Sequence, residues 1–137
     1  MTRYTFSNLD QWVRKTKKRT ELVVKQATQD AIEQSSRTKP GVTRGGSVTR
    51  GFVPRADGFL AGSLQSSLAG GIAQKGEDSH VFVVAGMVAG DVAQFRWTAA
   101  YARKLHYAGW FWVDVTANNW PEIVKQATIR AKAQVNS

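Results

Sequence analysis

The residues able to do chemistry are few and widely spaced. There are two histidines, His80 and His106, and no cysteine. Without cysteine there is no thiolate metal site, no thiol nucleophile and no disulfide. Neither histidine has a second histidine or a carboxylate at metal-ligand spacing. Glu77 and Asp78 are adjacent, but the turn GEDS accounts for them, and Asp114 fits an outward position on a strand. No GxSxG, HExxH or GxxxxGK[ST] occurs. The glycines of RGGSVTRG follow a predicted helix rather than a strand, and lead into no helix at phosphate-loop spacing. The reading is therefore of no catalytic residues, no metal and no cofactor, and not of an enzyme.

What the sequence does carry is positive charge beside aromatic rings. Nineteen Lys and Arg against ten Asp and Glu give a formal net charge of +9. That balance favours an acidic partner: nucleic acid, an anionic membrane or an acidic protein surface. Arg44, Arg50 and Arg55 lie in one Gly-rich stretch with Phe52, and Arg14, Lys15, Lys17, Lys18 and Arg19 cluster nearer the start. Basic residues next to exposed rings can follow a phosphate backbone and stack bases. The consecutive aromatics Trp110, Phe111 and Trp112 would put at least one ring outward on a strand. Such a ring suits base stacking or a subunit contact equally, since Trp and Tyr are enriched at interfaces. No helix-turn-helix, RRM or OB signature accompanies them, so only non-specific nucleic-acid contact follows from the charge.

The elements that must position these residues read as follows. A length of 137 residues suits one domain, 1–137. Ser7 is placed as a helix N-cap with Asp10 three residues on, and a helix is predicted from about Asn8 to Ser35. Its inward stripe is Leu9, Trp12, Val13, Thr16, Thr20, Val23, Val24, Ala27 and Ala31. Residues 36–56 break every period with Pro40, Gly41, Gly45, Gly46, Gly51 and Pro54, and read as an extended basic loop, longer than compact domains usually tolerate without function. Asp57 then caps a short helix, about Gly58 to Ser67, on Leu60, Leu64 and Leu68. Strands Ile72–Lys75 and His80–Val88 flank GEDS, a helix covers Ala99–Tyr107, Gly109 breaks it, and Trp110–Thr116 alternates as a strand. Asn119 caps a last helix with Pro121 in its first turn and Trp120, Ile123, Val124, Ala127, Ala131 and Gln134 or Val135 inward. VKQAT occurs at Val24–Thr28 and Val124–Thr128, but the flanks differ and five residues are no repeat. The fold class is α+β: a small, mostly antiparallel sheet packed by a long N-terminal and a C-terminal helix, with a long basic loop. No signal peptide and no membrane span is predicted.

The stretch PRADGFLAGSL, Pro54 to Leu64, resembles the Pro–x–Asp–Thr–Gly–x–Leu–x–x–Ser–Ile/Leu signature of a bacteriophage head–tail connection family, the neck or tail-completion proteins of long-tailed lambdoid-type phages. Pro54, Gly58, Leu60, Ser63 and Leu64 match. Asp57 takes the family's Thr position and Ala56 its Asp position, and both Asp and Thr can cap a helix. YARKLHYAG resembles the family's second motif through Tyr101, Ala102, Tyr107 and Gly109, with His106 near the usual Glu and Ala108 adding one residue. The resemblance implies a structural virion protein in the neck, at the head–tail interface, made in the host cytoplasm during assembly. It implies a homo-oligomeric ring, usually hexameric, that docks between the adaptor or head-completion proteins and the tail-tube or tail-terminator proteins, around DNA. On that reading the loop is a docking arm. Its contact residues are Arg44, Arg50, Phe52 and Arg55, with Trp110 and Trp112 at a subunit contact, and Pro54, Asp57, Gly58 and Leu60 anchor its base. The alternative is a small basic domain that binds nucleic acid non-specifically.

Overall fold

Thirty residues of helical period give the longest element, α1, Phe6–Ser35, in a computed structural model that describes residues 6–88 and 90–136. Its partner is α6, Trp120–Asn136. The two pack through small side chains. Ala27 and Ala127 are 1% and 0% exposed, Ala31 and Ile123 are buried beside them, and Val23 and Val124 close the rim. Arg130 of α6 pairs with Asp30 of α1 at 3.1 Å. The predicted stripe holds only in the second half of α1: Leu9, Trp12, Val13 and Thr20 are exposed. The helix starts at Phe6, so Ser7 lies inside its first turn rather than capping it, and Asp10 pairs with Arg14 one turn on. Asn119 directly precedes α6, but its amide donates to Gln34 Oε1 at 2.9 Å and so ties α6 to α1.

Between these helices the chain runs β1 Thr38–Pro40, a 3₁₀ turn Val42–Arg44, β2 Val53–Arg55 and α2 Phe59–Gly62. It continues as β3 Leu64–Leu68, β4 Gln74–Lys75, α3 Ser79–Ala85 and β5 Ala93–Trp97, then α4 Ala102–Leu105, a wide turn His106–Trp110 and α5 Trp112–Asn118. The three-stranded sheet has the order β4-β3-β5 and is antiparallel throughout, while β1 and β2 form a separate parallel pair. The protein is α+β, as its sequence predicts.

Four predicted elements change. The helix expected over Gly58–Ser67 is one turn long. Leu60, Leu64 and Leu68 fit a four-residue period, but Leu64, Ser66 and Leu68 also fit a two-residue one, and pairing with Ala93–Trp97 decides for the strand. Ser63 closes the turn by donating its hydroxyl to Leu60 O at 2.6 Å. The run expected as strand His80–Val88 is helix α3, which buries Ser79, His80, Val83 and Val84 at helical spacing and exposes Val81 and Phe82. The Ser79 hydroxyl lies 2.8 Å from that of Ser66, which joins α3 to the sheet in place of the expected hairpin. Of Ile72–Lys75 only Gln74–Lys75 is strand, and Ile72 is 88% exposed. The run WFWVDVT is not a strand. Gly109 interrupts the preceding helix as expected, but the chain then takes a left-handed turn at Phe111 and continues as α5. The strand AQFRW was not foreseen, although Ala93, Phe95 and Trp97 alternate with exposed Gln94 and Arg96.

The core has a second centre, in which Val53, Leu60, Ala61, Ala99, Ala102, Trp110 and Trp112 pack with Phe52, Trp97 and Leu105 against them. A buried hydrogen bond between the Ser35 and Thr116 hydroxyls, 2.7 Å, ties α5 to the end of α1. Close approach of α1 and α6 depends on alanine. Ala127→Leu is expected to cost about 1–3 kcal/mol by overpacking, read as a lower urea midpoint, while Ile129→Leu on the exposed side of α6 leaves it unchanged.

Candidate docking arm and its anchor

The loop predicted over 36–56 is stapled at its base. Thr38, Lys39 and Pro40 pair in parallel with Val53, Pro54 and Arg55. Val53 N–H donates to Arg37 O at 2.7 Å and Gly41 N–H to Arg55 O at 3.1 Å. The irregular stretch is therefore 41–52 rather than the whole loop, and even that is fastened. Gly46 N–H donates to Gly41 O at 3.1 Å, and Gly51 N–H to Trp110 O at 2.6 Å. A β-carbon on Gly46 would lie 2.2 Å from Pro40 O, so only glycine lets the arm fold back on its own first strand. Val42 and Val48 stay on the outside, 61% and 49% exposed.

The predicted anchors occupy one short corner. Pro54 is buried in β2 and Leu60 is buried in the core. Asp57 Oδ1 accepts the Phe59 N–H at 2.9 Å, which satisfies a free donor of the first turn of α2. Gly58 between them has φ +85°, and a β-carbon there would also lie 2.9 Å from Arg55 Nη1. A left-handed residue at that place is natural only for glycine. The N-cap of α2 is thus Gly58 and not Asp57 as expected; Asp57 holds the corner from one residue further back, and with the Gly58 turn and the Leu60 plug it sets the direction in which the chain leaves β2.

The predicted contact residues are engaged within the chain. Arg55 pairs with Glu77, and that hydrogen bond raises the guanidinium pKa above its ordinary value. Both partners are about two-fifths exposed, so the pair orients Arg55 more than it stabilises the fold. Arg50 stands over the Phe111 ring with Cζ at 4.9 Å from its centre. Phe52 is half-buried beneath Arg37 at 4.4 Å and Lys39 at 5.3 Å. Cation–π contacts at exposed sites contribute about 0.5–1 kcal/mol each. Arg44 closes the 3₁₀ turn at the arm's outer end, and its side chain lies outside what the structure describes.

Trp110 and Trp112 are not surface contacts. Each is 2% exposed, and Trp112 meets Trp97 edge-on at 5.9 Å and His106 at 5.0 Å. His106 itself is buried and accepts the Val113 N–H at Nε2, 3.3 Å away, with Asp114 Oδ1 farther off at 3.8 Å. Its place is between rings, with Tyr107 at 4.8 Å and Phe111 at 5.4 Å. His80 is likewise buried, in α3. Among the described residues no three His, Asp or Glu side chains gather as metal ligands do.

Sequence reasoning missed the apolar corner beside the anchor. Phe59 is 61% exposed and stacks obliquely on Tyr101 at 6.1 Å. Beside them a cavity of about 280 Å³ opens between Val42, Pro54, Asp57, Leu60, Tyr101 and Trp110, so the arm and its anchor share one concave surface. The signal lay in Phe59, in the middle of the first motif, and Tyr101, at the start of the second, but their approach is a tertiary fact. No helix among the described residues is long and apolar enough to cross a membrane. No protein-family model, no curated protein and no solved structure matches this chain.

Three outcomes follow. Trp112→Ala is expected to cost about 3–5 kcal/mol, as loss of a core aromatic does; a loss below about 1 kcal/mol would return Trp112 to the surface. Gly46→Ala is expected to lower the urea midpoint by the equivalent of about 1–3 kcal/mol. Gly62→Ala, where a β-carbon meets nothing within 4 Å, is expected to leave it level or raise it slightly.

Proposed function

We propose that this protein is a structural component of a phage neck, which forms a ring between head and tail and docks through its basic arm. The observation that supports the reading best is the contrast within residues 36–56. Their two ends are held by a parallel strand pair, while the stretch between them presents Val42 and Val48 to solvent. An exposed apolar excursion on a rigid base suits a binding loop, because ordering it on contact sacrifices little further entropy. The corner Pro54, Asp57, Gly58 and Leu60 carries the motif that resembles the head–tail connection family, and Tyr101 of the second motif lines the same cavity. On this reading the partners are adaptor or head-completion proteins on one side and tail-tube or tail-terminator proteins on the other. The ring's own positive charge tolerates the DNA that threads it.

A second reading, non-specific nucleic-acid binding, draws on a different surface: Arg14, Lys15, Lys17 and Lys18 are all exposed on the first half of α1. The two readings part in one experiment. Residues 43–49 are replaced by a Gly/Ser spacer of equal length, which spares the bond from Gly51 to Trp110 and the Phe52 contacts. The neck reading expects an unchanged circular dichroism spectrum and particles that stop as filled heads and separate tails under the electron microscope. Joined virions of normal yield would overturn it. The nucleic-acid reading expects instead that duplex DNA binds at physiological salt and is released steeply as salt rises, with or without the spacer.

A further inference from the structure

The order β4-β3-β5 leaves one side of β5 without a neighbouring strand. Two bonds fix where each backbone group of β5 points. Thr98 N–H donates to Ser63 O at 3.1 Å, and Ala69 N–H to Val92 O at 2.8 Å, both in the β3–β5 register. In an antiparallel pair the hydrogen-bonded positions alternate. Val92, Gln94, Arg96 and Thr98 therefore turn their N–H and C=O groups towards β3, while Ala93, Phe95 and Trp97 turn theirs outward. Among the described residues no backbone hydrogen bond from outside the sheet reaches those three.

The inner face of the sheet is open at the same place. Leu64 and Ser66 of β3 are 0% exposed, but Trp97 and Phe95 opposite them are only half-buried. Two hollows share Phe95 as a wall. One, of about 490 Å³, is lined also by Trp97, Tyr107 and Trp112. The other, of about 440 Å³, is lined also by Ala93, Met87 and Ala27. A free ladder with unfilled space beside it suits one more strand, whose backbone the edge would bond and whose alternate side chains the hollows would receive. Natural edges are blunted by proline, lysine, bulges or inward charge. β5 has none of these: it reads AQFRW, pairs with β3 without a bulge, and turns Ala93, Phe95 and Trp97 inward. Its one charge, Arg96, lies on the outer face and donates to Gln65 Oε1, its cross-strand neighbour, at 3.3 Å.

We propose that β5 pairs antiparallel with β5 of a second copy, about a two-fold axis through Phe95, so that two three-stranded sheets become one. The strand's own sequence names the occupant. In the register centred on Phe95, Ala93 of each copy stands opposite Trp97 of the other, small against large. Each outward residue exchanges two hydrogen bonds with its counterpart. Gln94 stands opposite Arg96 of the other copy, so Arg96 gains on its free side the kind of partner it has in Gln65. A slip of two residues either sets Arg96 against Arg96 or carries Trp97 past the end of the partner strand. The contact is isologous and closes at two copies. It is thus distinct from the ring contact proposed above and does not rest on that reading. Each copy carries a net +9, so the two repel at a distance and join only through the strand edge itself.

The test uses the purified full chain. In sedimentation velocity the wild type is expected to form a dimer and nothing larger, more tightly as salt screens the like charge of the copies. Ala93→Pro removes one outward N–H at the first residue of β5, where proline spares the ladder to β3. It is expected to weaken the dimer by more than about tenfold with circular dichroism unchanged. Should that variant unfold, the register is read by cross-linking, for which a chain without cysteine is suited. The side chains replaced in Gln94→Cys and Arg96→Cys are exposed, and the two positions face each other as a non-hydrogen-bonded pair, close enough for a disulfide. A gently oxidised mixture of the two variants is expected to link into a heterodimer in several times the yield of either alone. A wild type that stays monomeric at every concentration and salt overturns the proposal, and so does a mixture that links no better than its components. A wild type that is monomeric alone, yet protects the Phe95 and Trp97 amides from hydrogen exchange when single-stranded DNA is added, would overturn it in favour of a nucleic-acid surface.

Discussion

The left-handed residue Phe111, at φ 41° and ψ 42°, is the constraint on which the second half of the molecule depends. A bulky side chain in that conformation costs about 1–2 kcal/mol. What offsets it is the burial of the two tryptophans on either side. The turn at Phe111 breaks one helical run and starts another, so Trp110 and Trp112 both enter the core from opposite ends of the break. Phe111 stays half-buried and becomes the floor for Arg50. The Trp110 carbonyl left at the break accepts the Gly51 N–H, and this bond brings the arm home. One strained residue thereby fixes the aromatic core, the return of the arm and the start of α5.

The same residue explains why part of the fold escapes a reading of the sequence. Trp110, Phe111 and Trp112 alternate buried, half-buried, buried, which is the signature of a strand. A left-handed break between two helices yields the same three-letter pattern, and nothing local separates the two. α3 hides in a similar way, because a run rich in valine and seven residues long fits either period. The long helices were legible because their period repeats over many turns. The strands β1 and β2 were not, because each has three residues and its pairing reaches fifteen positions along the chain, Thr38 to Val53. Of the candidate site, the anchor was legible in part: the Asp–Gly step before an apolar turn marks where α2 starts, but its N-cap is Gly58 at φ +85° and not Asp57, which accepts the Phe59 N–H from one residue further back. The contact residues were less so, since exposure is set by what packs against a side chain and not by its type.

The arm and α1 divide the protein's positive charge into two kinds. In the arm, Arg37 and Lys39 rest on Phe52, Arg50 on Phe111 and Arg55 on Glu77. These contacts hold the arm in shape at low ionic cost, and each is weak enough to exchange for a carboxylate of a neighbour. On α1 the exposed Lys15, Lys17 and Lys18 have no hydrogen bond or ion pair among the described residues. Charge of that kind repels its own kind along the helix and gains most from an external acid. Exposed positive charge is therefore concentrated on α1, while the concave apolar surface lies at the arm and the corner beside Phe59 and Tyr101. In protein association generally, charge raises the rate at which partners meet and shape decides which of them stay.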